Sequence, residues 1–192
     1  MKGPTLFQDL KYWMLQKFGP VNFKQNTAAI FPIVPVYDIP LVDIQGKRVS
    51  LAGFKGKRII IVNVASRCGY TPQYAALQEL YHKYSDRLVV LGFPCNQFGD
   101  QEPDNDQMII SFCSRAYGVT FPIFGKVTVR GEGIHPLYKW LTDADMNGWN
   151  KRSPDWNFCK YVIDEKGRLM YYLSSAIDPF DARITGGNVT NP

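Results

Sequence analysis

With 192 residues and no internal repeat, the chain is sized for one domain, and 45% hydrophobic with 20% charged residues excludes an intrinsically disordered chain. The net charge is +5, but the densest basic group, Lys55, Lys57 and Arg58, reads as a solvated turn, so no nucleic-acid partner is expected. No stretch approaches the roughly 18 consecutive apolar residues of a membrane span.

In chain order, residues 5–18 (TLFQDLKYWMLQKF) have helical periodicity. Leu6, Leu10, Trp13, Met14 and Phe18 share a face, and Gly19-Pro20 ends the segment. Two readings fit: a helix packed on the domain, or a weak membrane-surface contact with Trp and Phe buried and Lys11 and Lys17 snorkelling. Residues 21–35 read as an irregular linker. Two short strands follow around a turn at Gln45-Gly46. The apolar, β-branched run 57–65 predicts a strand buried on both faces. A helix over 72–85 is expected next, with Thr71 as its N-cap, and residues 87–94 form a second buried strand. Strand, helix and strand at this spacing make a βαβ unit with a parallel pair.

A second helix is expected over 104–117, capped at Asp104 or Asn105 and stopped by Gly118. A short helix starts at Pro136, and 143–155 reads as a loop. NFCKYVID and RLMYYLSS flank Glu165-Lys166-Gly167 as a β-hairpin. A helix start is possible near Pro179, and Gly186-Gly187-Asn188 reads as frayed. The expected organisation is an N-terminal helix and linker (1–35), an α/β domain (36–182) and a flexible tail (183–192). A βαβ unit before an antiparallel hairpin is the order of a thioredoxin-like fold, a central mixed β-sheet flanked by helices, though other mixed α/β folds share it.

The four cysteines are Cys68, Cys95, Cys113 and Cys159, with no C-x-x-C pair, and the two histidines, His82 and His135, are far apart. That pattern gives neither a zinc site nor a disulfide scaffold. It fits one or two reactive thiols in a reducing, cytoplasmic compartment. Cys68 falls where a buried strand feeds a helix N-terminus, a position where α/β folds place chemistry and where thiolate is favoured. The alternative is a buried core cysteine, the common fate of the residue.

Three separated segments carry a resemblance. NVASRCGYT (63–71), FPCNQFGDQEP (93–103) and WNFCKY (156–161) resemble, in order, the signatures of the glutathione peroxidase family, and the similarity spans about residues 36–180. The resemblance implies a thiol peroxidase that reduces hydrogen peroxide and organic or lipid hydroperoxides. It implies Cys68 as peroxidatic cysteine and Gln101, Trp156 and Asn157 as its catalytic companions. All three are neutral hydrogen-bond donors suited to a thiolate and a leaving oxyanion. Asn96 and Gln97 read as loop-shaping residues, with Gln97 the weaker catalytic candidate.

The resemblance further implies no prosthetic cofactor or metal, and thioredoxin or glutathione as reducing co-substrate, with cysteine in place of selenocysteine favouring thioredoxin. It offers Cys113 as the resolving thiol, about one residue earlier than the usual position, a rotation of about 100° on a helix. Cys95 and Cys159 read as buried thiols, Cys159 within a strand. Asp155 stands where the family often has Lys, which makes the field on Cys68 less positive. The short stretch from Leu141 to Trp156 points to a monomer. Three other readings compete. A disulfide reductase lacks its C-x-x-C motif. A peroxide sensor that relays oxidation to a partner needs the same Cys68. A non-catalytic binding module leaves the four-residue set unexplained.

Overall fold

The computed structural model describes the backbone over residues 6–187; residues 1–5, the side chains of residues 6–9 and Phe18, and residues 188–192 of the expected tail lie outside the described residues. Its centre is a mixed sheet built from β1 (Phe23–Gln25), β4 (Arg58–Val64), β5 (Leu88–Pro94), β6 (Lys160–Ile163) and β7 (Leu169–Leu173) in the order β1-β7-β6-β4-β5. β4 and β5 are parallel, as a βαβ unit requires, and the other pairs are antiparallel. β2 (Leu41–Val42) and β3 (Arg48–Val49) make the expected small hairpin.

The helices are α1 (Leu6–Phe18), α2 (Gln73–Lys83), α3 (Asp106–Tyr117), α4 (Pro136–Thr142), α5 (Ala144–Asn147) and α6 (Ala182–Thr185). Side chains alternate across a strand, so β4 sends Ile59 and Ile61 to one apolar cluster and Ile60, Val62 and Val64 to the other. The first cluster is capped by α4 through Leu137, Tyr138, Trp140 and Leu141. The second is covered by Tyr74, Leu77 and Leu80 of α2 and by Ile109 and Cys113 of α3. The result is the thioredoxin-like fold, a central mixed sheet with helices on both faces.

Several local expectations differ from the structure. The linker contains β1, an edge strand paired with β7, and Asn26 binds the Leu169 carbonyl at 3.1 Å to hold the chain along that edge. Three residues are too short to show a period of two. α5 interrupts the expected loop at 143–155, capped by the Asp143 carboxylate. Thr71 does not cap α2: its hydroxyl accepts the Cys68 N–H at 2.9 Å and donates to the Ala65 carbonyl at 2.8 Å. Cys159 precedes β6 rather than lying in it. The tail expected from 183 is packed as far as α6, where Ile184 is buried and Arg58 reaches the Arg183 and Ile184 carbonyls. Lys57 and Arg58 of the basic turn are also engaged, with the Ser85 carbonyl and Glu165.

The largest difference is in α1. It packs on the domain, but through Tyr12 and Leu15, while Leu10, Trp13 and Met14 are 55%, 52% and 52% exposed. The described residues of the apolar face read from the sequence, Leu10, Trp13 and Met14, therefore lie on the outer side. Tyr12 is the better inward residue because its ring packs while its hydroxyl receives the Gln16 amide at 2.7 Å.

Candidate active site

Cys68 lies in the tight turn joining β4 to α2. Thr71 fixes that turn by its two hydroxyl bonds and by its own N–H to the Cys68 carbonyl, 3.1 Å. Turn geometry points the Tyr70 N–H back at Cys68 Sγ, 3.4 Å away. The sulfur keeps a little access, at 8% exposure, whereas Cys95, Cys113 and Cys159 have 1% or less.

Gln101 arrives on the loop after β5. Asn96 shapes that loop by accepting the Glu102 N–H at 2.8 Å and donating to Asp100 at 3.2 Å. Asp100 takes φ 50, the left-handed region that non-glycine residues enter only when surroundings enforce it. The Arg67 N–H then binds the Gln101 carbonyl at 3.0 Å, tying the two loops together. Gln97 faces away and holds the Val129 and Arg130 N–H groups and the Arg130 carbonyl, so it shapes the loop.

Trp156 and Asn157 come from the segment entering β6. Asn63 on β4 donates to the Trp156 carbonyl at 2.9 Å, and Ser175 donates to the Asn157 carbonyl at 2.6 Å. Phe158 takes φ 64 directly after Asn157, a second enforced conformation. The Asn157 amide donates to Gln101 Oε1 at 3.0 Å. The Asn157 and Trp156 side chains also face the Cys68 sulfur closely enough to favour its thiolate. The four residues singled out by the sequence are thus brought into one cluster, with Gln101 joined to the thiol through Asn157. Trp156 forms its exposed wall, tilted against Phe98 at 5.9 Å.

Burial pushes the Cys68 thiol up from its ordinary value, and the Tyr70 N–H, Asn157, Trp156 and the Lys11 ammonium all draw it back down. Lys11 was not legible in the sequence as part of the site. It reaches Cys68 because α1 crosses the turn at Gly69, where a Cβ would stand 2.6 Å from Leu15 Cδ1 and 3.3 Å from Lys11 Cε. Glycine leaves room for that approach, which a larger residue would allow only if the Leu15 side chain moved. Asp155 is answered by Arg152, 2.7 Å away; burial pushes its carboxyl up, yet that pairing and Cys159 hold it below the ordinary value.

Cys113 shares the apolar cluster of Cys68 with Tyr74, and burial pushes its thiol up to about 11. Cys95 and Cys159 belong to the cluster on the opposite face of the sheet. Two buried ionisable groups flank the site. Burial pushes Glu102 up to about 7 although Ser66 donates to it, and pushes Lys160 down to about 7 among the Ser175 and Ile177 carbonyls. Among the described residues no cluster of His, Cys, Asp or Glu is arranged to hold a metal ion.

Residues 36–142 match the family model described as glutathione peroxidase. The chain is 44% identical over 144 residues to glutathione peroxidase-like peroxiredoxin 2 of Saccharomyces cerevisiae, covering 74% of this chain and 89% of that protein. It is also 44% identical over 152 residues to the hydroperoxy fatty acid reductase gpx1 of a Synechocystis species, covering 75% and 89%. Among solved structures, the apo crystal structure of Trgpx superimposes with a TM-score of 0.61 at 36% identity, covering 79% of this chain and 92% of that one. The fold, the three ordered motifs and these likenesses agree: the chain belongs to the glutathione peroxidase family and is a peroxidase that works through a thiol.

Proposed function

We propose that Cys68 is the peroxidatic nucleophile and that Gln101, Trp156 and Asn157 stabilise its thiolate and the departing oxygen. One observation carries this assignment. Cys68 is the one cysteine with residual access, its sulfur receives the Tyr70 N–H, and the adjoining Asn157 amide is joined to Gln101. The thiolate attacks the distal oxygen of ROOH, the O–O bond breaks, and the alcohol leaves with a proton as the sulfur becomes sulfenic acid. A second thiol condenses with that sulfenic acid, releasing water and forming a disulfide, which a reductant opens by exchange.

Cys113 is the resolving thiol in this reading, supported by the cluster it shares with Cys68 and by the opposite placement of the other two cysteines. Thioredoxin or glutathione then supplies the electrons, and no prosthetic group takes part. Organic and lipid hydroperoxides belong to the substrate range alongside hydrogen peroxide. Support comes from the fatty-acid hydroperoxide named for the Synechocystis relative and from the exposure of Trp156. Four unpaired cysteines favour a reducing compartment such as the cytoplasm, and the short 142–155 segment favours a monomer.

The test is peroxide-dependent NADPH oxidation, coupled in parallel to thioredoxin with its reductase and to glutathione with its reductase. Cys68→Ser is the control. Turnover that vanishes in Cys68→Ser is the expected result. No turnover with either reductant, while Cys68 still oxidises rapidly, would replace the enzyme with a peroxide sensor that passes its oxidation to a protein partner.

A further inference from the structure

Among the described residues, eight of the twelve exposed large hydrophobic side chains lie between residues 10 and 33, outside the segment that matches the family. They are concentrated on α1 and just beyond it. Leu10, Trp13, Met14 and Lys17 follow the i, i+3, i+4, i+7 spacing of one helix face, and all four are exposed. Val21 continues the apolar surface at 63% exposure. The opposite face, Tyr12 and Leu15, is the one that packs on the domain. The helix therefore presents an organised apolar stripe to solvent although an inward face was available for it.

Charge identifies what covers the stripe. Residues 10–33 contain Lys11, Lys17 and Lys24 and no Asp or Glu. A second copy of the chain, docked face to face on this helix, would set these lysines against their own copies with Asp9 as the one carboxylate of α1, leaving both sides net positive. A surface of anionic phospholipid headgroups would answer Lys17 and Lys24, Lys11 being turned toward Cys68, and it is also where tryptophan and snorkelling lysine are favoured. Lys17 Nζ already sits 4.9 Å over the Trp13 ring, which places cation and aromatic at one depth.

We propose that α1 docks lengthwise on an anionic phospholipid surface, with Leu10, Trp13 and Met14 inserted and Lys17 and Lys24 at the headgroups. The inner side of the same helix rests on Gly69, next to Cys68, so docking holds the reactive turn at the lipid surface. A cleft of about 390 Å³ runs from Pro20 and Asn22, just past α1, to Tyr70 and Trp156, and it is the route by which an acyl hydroperoxide reaches the site. The docking itself is independent of the chemistry; only its use for lipid hydroperoxides rests on the peroxidase reading.

The experiment is co-sedimentation of the full chain with vesicles of phosphatidylcholine alone and of phosphatidylcholine mixed with phosphatidylserine. The proteins are the wild type, a Leu10→Gln/Trp13→Ser/Met14→Gln variant and a Lys17→Gln/Lys24→Gln variant. The wild type is expected to bind the mixed vesicles and to release in high salt. Each lysine removed should weaken binding about fivefold, and the apolar variant should lose it. Circular dichroism of the variants excludes loss of fold. Sedimentation of wild type and both variants to the same extent overturns the proposal, and so does no sedimentation at all. A dimer in sedimentation velocity that the apolar variant abolishes also overturns it, by giving the face to a second copy. In the activity arm, the apolar variant should lose about tenfold on phosphatidylcholine hydroperoxide held in the mixed vesicles, the scale of one or two buried side chains. Its rate on hydrogen peroxide should not change. Failure of docking with hydrogen peroxide turnover intact removes this inference alone; a Cys68→Ser protein that still turns over removes the peroxidase assignment alone.

Discussion

At the level of single residues, the site must solve an electrostatic problem. Cys68 is buried enough to disfavour its thiolate, and neutral donors supply most of the correction. The nearby cations other than Lys11 are engaged elsewhere: Arg67 with Asp104, Arg152 with Asp155, and Lys160 with backbone carbonyls. Lys11→Met should raise the Cys68 pKa and so lower the rate of sulfenic acid formation at neutral pH, by about threefold for half a pKa unit. The loss should shrink as salt is added, since Lys11 is solvent-exposed, and Lys11→Arg should retain the rate. Stopped-flow oxidation across pH and salt checks this, and identical profiles for wild type and Lys11→Met would remove Lys11 from the site.

Glu102 offers a second residue-scale prediction. Burial raises its carboxyl from 4.5 to about 7, and its Oε1 finds no hydrogen-bond partner among the described residues. A carboxyl raised by folding holds its proton more tightly in the native state. Its contribution to stability is full below pH 4.5 and is lost as pH rises through 7. Glu102→Gln keeps an acceptor for Ser66 but cannot ionise. Relative to wild type, its stability should therefore rise by about 3 kcal/mol between pH 4 and pH 8, measured by urea unfolding at both.

At the scale of elements, α3 carries the thiol proposed to close the catalytic cycle. It is a well-capped helix, with Asn105 accepting the Met108 N–H at its start and Gly118 in the left-handed conformation at its end. Cys113 points from it into the apolar cluster, where burial keeps its thiol protonated. A disulfide with Cys68 needs Cα atoms within about 7 Å, so the proposed resolution by Cys113 calls for local opening of α3. Cys113→Ser should abolish thioredoxin-supported steady-state turnover while sparing the first sulfenic acid, seen by dimedone trapping in a single turnover. Undiminished turnover would mean that an external thiol resolves Cys68 directly.

At the scale of the whole molecule, the central strands carry the fold and the N-terminal segment is laid on afterwards. β4 is paired on both sides and buried on both faces, whereas among the described side chains of α1 those packed on the core are the partly buried Tyr12 and Leu15. A chain starting at residue 21 should still unfold cooperatively, at a loss of about 2 kcal/mol, roughly half the full burial of two large side chains. Thermal and urea unfolding would check this, and a molten or aggregated product would make α1 integral to the core.

The sequence by itself determined the parts that depend on local pattern. The β-branched run of β4, the βαβ spacing, the Asn105 and Gly118 caps and the hairpin turn are all read within windows of a dozen residues. Cys68, Gln101, Trp156 and Asn157 were legible because each sits in a distinctive motif, though no motif alone showed that they meet. Only the tertiary structure decided which face of α1 turns inward, that β1 joins the sheet edge, that Thr71 staples the Cys68 turn instead of capping α2, and that Lys11 lies beside Cys68. Each of these depends on a contact between residues brought together by the fold or by a tight turn. Periodicity can report that a helix has an apolar face, but the surface it meets is fixed by packing, and here the domain took the other face.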